Sequence, residues 1–304
     1  MSKRNRAMLA VLVGNGIFGF SFLASKIALR SIDPIALLAF RFTLAFAVLN
    51  VFLMLRVIKV RFRGKKFGVL LPMSICQPVI YFLCECYGIQ YSTSSFSGLM
   101  IALIPVVTFI LATVVLREAF HWEKFAWAIC SVLGVCIISV TGAGDGSVTG
   151  RGVLLLTGAV ISGSLYAVLS RKCSVEFTAL ERTYAMFAAG CVSFLTFSLI
   201  QSKGTMISAW VRACSEPTFV AALIYLAVIS SVLAFFCMNY AATYLPVTQT
   251  SSFANITTLV SIVAGVVFLQ ETFGIRELVG AVFILCGVYM LNRTAAVRST
   301  DKKQ

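Results

Sequence analysis

The amino-acid sequence predicts an all-α integral membrane protein with ten transmembrane helices in two inverted five-helix repeats. Three observations lead to this prediction: the apolar composition, the number and length of the apolar runs, and an internal repeat. Of the 304 residues, 60% are hydrophobic and only 12% are charged. About 25% of the residues of a typical soluble domain carry a charge, so the composition indicates a chain that folds in a bilayer.

The apolar runs have the length of membrane-spanning helices. A helix needs about 20 apolar residues to cross a hydrocarbon core about 30 Å thick. The runs are continuously apolar and lack the alternation of lipid-facing barrel strands, so helices are expected. The ten predicted helices are residues 7–28, 35–57, 67–90, 95–116, 124–141, 152–171, 180–200, 218–243, 247–270 and 275–292.

The second half of the chain repeats the first. A constant offset of 153 residues aligns Tyr87 with Tyr240, Tyr91 with Tyr244, Leu116 with Leu269, Glu118 with Glu271, Phe120 with Phe273 and Gly134 with Gly287. Because a repeat of five helices is odd in number, the second copy must enter the membrane in the opposite orientation. The predicted organisation is a cytoplasmic N-terminus at 1–6, a first repeat at 7–141, an outer linker at 142–151, a second repeat at 152–292 and a basic cytoplasmic tail at 293–304.

The distribution of basic residues predicts the orientation of the chain. If the N-terminus lies inside, the predicted cytoplasmic segments hold 18 of the 25 basic residues and the outer segments hold 6, with Arg41 inside a helix. Cytoplasmic loops carry the excess of Lys and Arg, so both termini are predicted to be cytoplasmic in a multi-pass protein of the cytoplasmic (inner or plasma) membrane. Topology in the lipid bilayer thus explains the net charge of +14, and no nucleic-acid partner is expected.

Several motifs resemble those of a known family. They are "FGFSFLASK" at 18–26, "SGSLYAVLSRK" at 162–172, the helix with Pro105 that ends in "LREAF", and "LQETF" followed by "GAVFILCGVYML". In order and spacing the chain resembles the EamA-type ten-helix members of the drug/metabolite transporter superfamily from about residue 8 to 292. The resemblance implies two EamA-like repeats, a central cavity between them, and export or exchange of small metabolites, amino acids or drugs. The chain departs from the family pattern at Phe18-Gly19, where many members have Trp-Gly, and at Thr258, where many have proline.

Other motifs are discounted. A G-x-G-x-x-G match at 14–19 lies in the middle of a predicted helix, whereas a dinucleotide site needs a preceding strand and a later acid. The sequence has no phosphate-binding G-x-x-x-x-G-K-[ST] motif, a single histidine, His121, and ten cysteines without a C-x-x-C pair. We therefore expect no cofactor and no metal site, and we interpret the cysteines as packing residues.

Polar residues at the depth of the membrane centre are the candidates for a substrate cavity, because such residues are costly in lipid. Gln77 and Tyr81 lie four residues apart on one face of the third helix, beside a kink predicted at Pro78. Asn255 and Thr258 lie on the ninth helix, and Asn15 lies at similar depth on the first. The alternative is that these side chains only join helix to helix by hydrogen bonds.

Glu85 and Arg41 have matching predicted depths on neighbouring helices. They are interpreted as a coupling site, a gate or a structural ion pair. As a functional pair, Glu85 would bind a proton or an amine and Arg41 would bind a carboxylate. If Glu85 is not a coupling site, the protein would be a facilitator driven by the solute gradient.

Glu118 and Glu271 occupy equivalent positions at the end of the fourth helix of each repeat. Each lies just before the next helix, where a carboxylate can accept hydrogen bonds from free backbone N–H groups and favour the positive helix end. A structural role is therefore the main interpretation for both acids, with a titratable gate at each membrane face as the alternative. Pro105 is interpreted as a structural residue of the repeat motif.

The predicted function is secondary transport of a small organic metabolite such as an amino acid, by export or exchange, through alternating access of a central cavity. The alternative is a multidrug or cation efflux carrier. A non-transporting membrane sensor and a membrane enzyme are less favoured, because the chain has no soluble signalling domain and few deep carboxylates. Proton coupling stays open, as does the choice between monomer and homodimer.

Overall fold

The structure is a computed structural model that describes residues 3–65, 67–115, 122–144, 148–173, 175–202, 204–245 and 253–301. Within these ranges every regular element is helical. The α-helices are α1 (Lys3–Ala28), α2 (Pro34–Met54), α3 (Leu70–Ser74), α4 (Tyr81–Gln90), α5 (Ser94–Ile101), α6 (Ile104–Val115), α7 (Trp122–Gly144), α8 (Gly150–Cys173), α9 (Ala179–Ser202), α10 (Met206–Cys214), α11 (Pro217–Ile224), α12 (Phe235–Tyr244), α13 (Ala254–Leu269) and α14 (Ile275–Asp301). Two π-helical segments, π1 (Ile75–Ile80) and π2 (Tyr225–Ala234), join α3 to α4 and α11 to α12.

By length and composition, seven helical stretches of the described chain can cross a membrane. They are Lys3–Ala28, Pro34–Met54, Leu70–Gln90, Ser94–Leu111, Gly150–Ser170, Ala179–Ser202 and Pro217–Met238, and two shorter apolar helices are Phe125–Ile138 and Asn255–Leu269. Large apolar side chains on the outside are strongly exposed, among them Met54 (82%), Leu154 (74%) and Ile200 (73%). Such an exterior suits lipid rather than water. The prediction of an all-α membrane protein is confirmed for the described residues.

α7 and α14 form an antiparallel pair with closely approaching backbones. A Cβ atom added to Gly134 would lie 2.5 Å from the carbonyl oxygen of Gly280, and one added to Gly287 would lie 2.6 Å from that of Trp127. Trp127 precedes Gly134 on α7, whereas its contact Gly287 follows Gly280 on α14, so the two helices run in opposite directions. The two contacts are related to each other by the repeat offset of 153 residues, which carries Gly134 to Gly287 and Trp127 to Gly280, and only glycine permits them.

α2 and α9 form the second antiparallel pair between the halves. The hydroxyl of Tyr184, early in α9, donates to Oδ1 of Asn50, late in α2, at 2.9 Å. At the opposite ends the rings of Phe42 and Phe194 lie 5.2 Å apart. The first helix of each half packs against the other half. α1 contacts α12 and α13, and α8, its equivalent, contacts α4 and α6.

Both π-helical segments interrupt membrane helices near the centre of the protein. In π1 the backbone of Gln77 is extended (φ −138°, ψ 118°), directly before Pro78. Ser162 on α8 donates to the carbonyl of Cys76 at 2.7 Å, and Ser231 in π2 donates to the carbonyl of Leu226 at 2.8 Å. Hydroxyl groups thus donate to carbonyl groups beside the break in π1 and within π2, where the regular α-helical hydrogen bonds are interrupted. Such bonds make an irregular helix tolerable inside a membrane protein.

The short helix α10 is not predicted by the sequence analysis. Trp210 fixes it to α2, because its ring stacks on Phe40 at 4.4 Å and its Nε1 donates to the carbonyl of Ala36 at 3.1 Å. With nine residues and the charge of Arg212, α10 is too short and too polar to appear as an apolar run.

Candidate functional site

A cavity of about 390 Å³ lies between the two halves of the chain. Its wall is formed by α1, α2, π1, α4, α5 and α6 from the first half and by α8, α9, α12 and α13 from the second. The lining is largely apolar, with the aromatic rings of Phe18, Phe22, Tyr81, Phe82, Tyr166 and Phe235. This volume and character are typical of sites for small organic molecules.

Seven residues singled out from the sequence lie in the wall of this cavity. They are Asn15, Arg41, Gln77, Tyr81, Glu85, Pro105 and Thr258. Asn255 does not line it: its amide Nδ2 points toward the carbonyl of Leu285 on α14, at 3.5 Å. That any of these residues binds a solute stays a prediction.

The third membrane helix contributes a polar face of Gln77, Tyr81 and Glu85. The hydroxyl of Tyr81 donates to Oε1 of Glu85 at 2.9 Å. Glu85 is only 7% exposed, and Gln77 stands at the break between α3 and α4. The four-residue spacing of Tyr81 and Glu85 on α4 therefore places a phenol and an acid in one wall, as helical periodicity requires, and the amide of Gln77 lines the same cavity from the break.

Arg41 is buried (3% exposed) opposite this face and is held by neutral groups. Its Nε donates to the hydroxyl of Ser231 at 3.2 Å, its Nη2 lies 3.5 Å from that of Ser230, and its Cζ lies 4.6 Å from the ring centroid of Phe82. Among the described residues, the ion pair within 4.0 Å joins Lys65 to Glu181 and does not involve Arg41. Arg41 and Glu85 therefore do not form an ion pair within 4.0 Å, and serine hydroxyls and an aromatic face contact the guanidinium. A longer-range electrostatic pairing of the two residues stays a prediction.

Asn15 and Thr258 tie the first half to α13. Thr257 donates from its Oγ1 to Oδ1 of Asn15 at 3.0 Å, and Thr258 donates to the carbonyl of Gly98 on α5 at 3.3 Å. Both lie in the cavity wall, so the predicted helix-to-helix bonding and the predicted lining occur together. Pro105 sits in the first turn of α6, where its missing N–H leaves no hydrogen bond unmade.

Glu271 caps a helix other than the one expected. Its carboxylate accepts hydrogen bonds from the backbone N–H groups of Ser94 (2.6 Å) and Ser95 (2.9 Å) at the start of α5. It also accepts one from the hydroxyl of Ser95 at 2.6 Å. The reason is the left-handed backbone of Gln270 (φ 54°), which ends α13 and turns the chain toward α5 instead of α14. Glu118, the equivalent residue, lies outside the described residues.

Two charged side chains, Lys26 and Glu271, bind the backbone on either side of the turn between α4 and α5. Nζ of Lys26 donates to the carbonyl of Ile89 at 2.7 Å and to that of Ser92, near the end of α4. Glu271 caps the start of α5, so a cation meets a negative helix end and an anion meets a positive one. The sequence analysis counted Lys26 among the six basic residues of the outer segments and did not predict this role.

Arg182 is a cavity residue that sequence reasoning missed. It lies in the first turn of α9, and its Nη1 donates to the carbonyl and hydroxyl of Ser170 on α8 at 2.9 Å and 2.5 Å. The sequence analysis counted it as a cytoplasmic charge. Arg182 lies just inside the predicted helix 180–200, and a charged residue in a membrane helix could have been considered as a cavity residue.

Comparison with known proteins also divides the chain into two halves. The sequence pattern of the EamA-like transporter family matches residues 5–140 and again residues 150–293. An "Uncharacterized transporter YcxC" of Bacillus subtilis is 35% identical over 285 residues, which cover 93% of this chain and 91% of that protein. A "Probable terminal-alkyne amino-acid exporter" of Streptantibioticus cattleyicolor is 27% identical over 71% of this chain and 69% of that protein. A solved crystal structure with 16% identity aligns with a TM-score of 0.65 over 95% of this chain and 99% of its own, which shows a shared fold.

Proposed function

The chain belongs to the EamA-like transporter family, and we propose that it is a secondary transporter that exports or exchanges a small organic metabolite such as an amino acid. The observation that carries the proposal is the polar-and-aromatic cavity enclosed by helices of both family-matched halves. Inverted-repeat transporters bind their solutes at such a position. The exporter similar over 71% of this chain supports an amino acid as the solute.

The proposed topology has ten membrane-spanning helices in two inverted five-helix repeats, with both termini in the cytoplasm. The antiparallel packing of α7 on α14 and of α2 on α9 supports inversion, since equivalent helices of inverted repeats run in opposite directions. The excess of basic residues in the predicted cytoplasmic segments supports the orientation in the cytoplasmic membrane.

The proposed mechanism is alternating access around the cavity. The break in π1 and the π-helical turns of π2 both lie near the cavity, because Gln77 lines the wall and Ser231 in π2 binds the lining residue Arg41. Breaks of this kind are places where a helix can bend with little loss of packing. Rocking of one half against the other would then expose the cavity to each side of the membrane in turn.

Glu85 supports two versions of the transport cycle. As a carboxylate it would bind the amine of a zwitterionic solute, and as a proton carrier it would couple efflux to proton entry. The same acid lies in a wall that also carries the rings of Phe22, Tyr81 and Phe235, which would suit a cation held among aromatic faces. This observation favours multidrug or cation efflux as the second candidate.

The test is counterflow in liposomes that contain the purified full-length protein. Vesicles preloaded with unlabelled amino acids, organic acids or cationic dyes are offered the labelled counterpart, with and without a pH gradient. Accumulation of an amino acid supports the proposal, and accumulation of cations alone supports the second candidate. Absence of accumulation across the panel in folded protein would contradict transport by this chain.

A further inference from the structure

We infer that Arg182 binds a carboxylate group of the transported solute, so that the solute is an amino acid or an organic acid and not a purely cationic compound. The inference rests on the proposed function, because it assigns a solute class to the cavity of that transporter. It is carried by the unfilled hydrogen-bonding capacity and the uncompensated charge of Arg182 in the cavity wall.

Arg182 has a buried donor that the protein leaves unused. Its Nη1 reaches the carbonyl and hydroxyl of Ser170. Its Nε, by contrast, is buried and has no hydrogen-bond partner in the described part of the chain. A buried guanidinium donor without an acceptor is unfavourable, so an acceptor that arrives in the cavity gains by pairing with it. A carboxylate matches the planar geometry of a guanidinium better than any neutral acceptor does.

The positive charge of Arg182 is likewise not neutralised by the fold. Within the described residues no carboxylate lies within 4.0 Å of it. The adjacent Glu181 is engaged elsewhere, because its oxygens accept from Nζ of Lys65 and from the backbone N–H groups of Arg61 and Thr178. A charge that is partly buried without a partner attracts an anion most strongly where water is scarce.

Arg41, the second arginine of the cavity wall, differs from Arg182 in its hydrogen bonds. Arg41 has hydroxyl partners at Nε and Nη2 and the ring of Phe82 against its Cζ. Each of these two donor atoms of Arg41 has an acceptor within the protein, whereas Nε of Arg182 has none among the described residues.

A purely structural role for Arg182 is the competing explanation. By bonding to Ser170 it satisfies a carbonyl near the end of α8, and this contact alone would give it a role in stability. The two explanations differ in selectivity: a stabilising contact between helices has no reason to distinguish solutes with a carboxylate from solutes without one.

The experiment uses three probes that share a phenyl ring, which suits the aromatic wall. L-phenylalanine has a carboxylate and an amine, 3-phenylpropionate has the carboxylate alone, and L-phenylalaninamide has the amine alone. Binding is measured as thermal stabilisation of the purified full-length protein over a concentration series of each probe, so the result does not depend on flux. The variants are Arg182→Gln, Arg182→Lys and, as a matched loss of charge outside the cavity, Arg212→Gln.

In the wild type we expect L-phenylalanine and 3-phenylpropionate to bind, and L-phenylalaninamide to bind more weakly by about tenfold or more. Arg182→Gln should weaken both carboxylate probes by about 10- to 100-fold and leave the amide probe within about twofold, because it removes the charged partner of the carboxylate. Arg182→Lys should lie between the two, and Arg212→Gln should match the wild type.

Three results would overturn the inference: unchanged discrimination in Arg182→Gln, equal binding of the amide and L-phenylalanine to the wild type, or no stabilisation of the wild type by any probe. If Arg182→Gln does not fold, the comparison of Arg182→Lys with the wild type decides in the same way. A protein that binds the carboxylate probes but shows no counterflow would contradict the proposed transport function and leave this inference standing.

Discussion

Glu85 and Glu271 are both acids of membrane-helix regions, but the protein holds them in opposite ways. Glu271 accepts three hydrogen bonds from Ser94 and Ser95 at the start of α5. Glu85 accepts one, from Tyr81, and otherwise faces a cavity. A carboxylate whose oxygens are filled by backbone donors stabilises the fold, whereas one with accepting capacity left over is available to a proton or a solute.

The surroundings reinforce this difference. The space for the Glu271 carboxylate exists because residue 265 is a glycine: a Cβ there would lie 2.3 Å from Oε2. The space beside Glu85 is instead an open chamber of about 390 Å³. The carboxylate of Glu271 is closely packed by the protein, whereas that of Glu85 borders a volume large enough for a small organic molecule.

The largest expected effect is on stability, from Glu271→Ala. The change leaves the N–H groups of Ser94 and Ser95 without their acceptor, and we expect a loss of about 3 kcal/mol in the free energy of unfolding. Thermal unfolding in detergent or lipid measures it. The control is Glu277→Ala, which removes an acid from the first turn of α14 and should cost about 0.5 kcal/mol. Similar losses in both variants would show that Glu271 has no special role in capping α5.

The next expected effect is on transport, from Glu85→Gln. Glutamine keeps the size of the side chain and an oxygen that can accept from Tyr81, so we expect the unfolding temperature to change little. Loss of the charge should lower the counterflow rate by about tenfold or more, since it removes the partner of an amine or proton. Initial rates at several pH values measure this. A wild-type counterflow rate in Glu85→Gln would show that Glu85, like Glu271, has a structural role.

A third pair of variants separates cavity lining from helix bonding. Gln77 lines the cavity, whereas Asn255 points toward Leu285 on α14. We expect Gln77→Ala to lower the transport rate by about fivefold to tenfold and Asn255→Ala to change it by about twofold or less, as loss of one neutral hydrogen bond to a solute implies. Equal and large losses in both would show that the cavity extends to α13 beyond Thr258.

The fold was largely predictable, because run length and internal repetition are properties of the sequence itself. Each of the ten apolar runs overlaps a helix of the structure, and the offset of 153 residues reappears in the contacts of Gly134 and Gly287 on the α7–α14 pair. The sequence analysis did not predict α10, because this short helix, which Trp210 fixes to the protein, has no long apolar run.

The site was predictable only as far as helical periodicity reaches. The four-residue spacing placed Tyr81 and Glu85 on one face, and both line the cavity. Periodicity cannot say which neighbour a face meets, so it could not separate Asn255, which points to α14, from Thr258, which points to α5. The target of Glu271 depended on a left-handed turn at Gln270, a conformation that is uncommon for residues other than glycine.

The smallest expected effect is the coupling between Arg41 and Glu85. If they formed an ion pair, replacing both would cost less than the sum of the single replacements, by about 0.5 to 3 kcal/mol. Because Arg41 is bound by Ser230 and Ser231 instead, we expect the stabilities of Arg41→Gln, Glu85→Gln and the double variant to be additive within about 0.5 kcal/mol. Thermal unfolding of the four proteins measures the coupling. A larger coupling would show that the two charges interact in this structure across more than 4.0 Å, which would favour the structural-pair interpretation of Arg41 and Glu85.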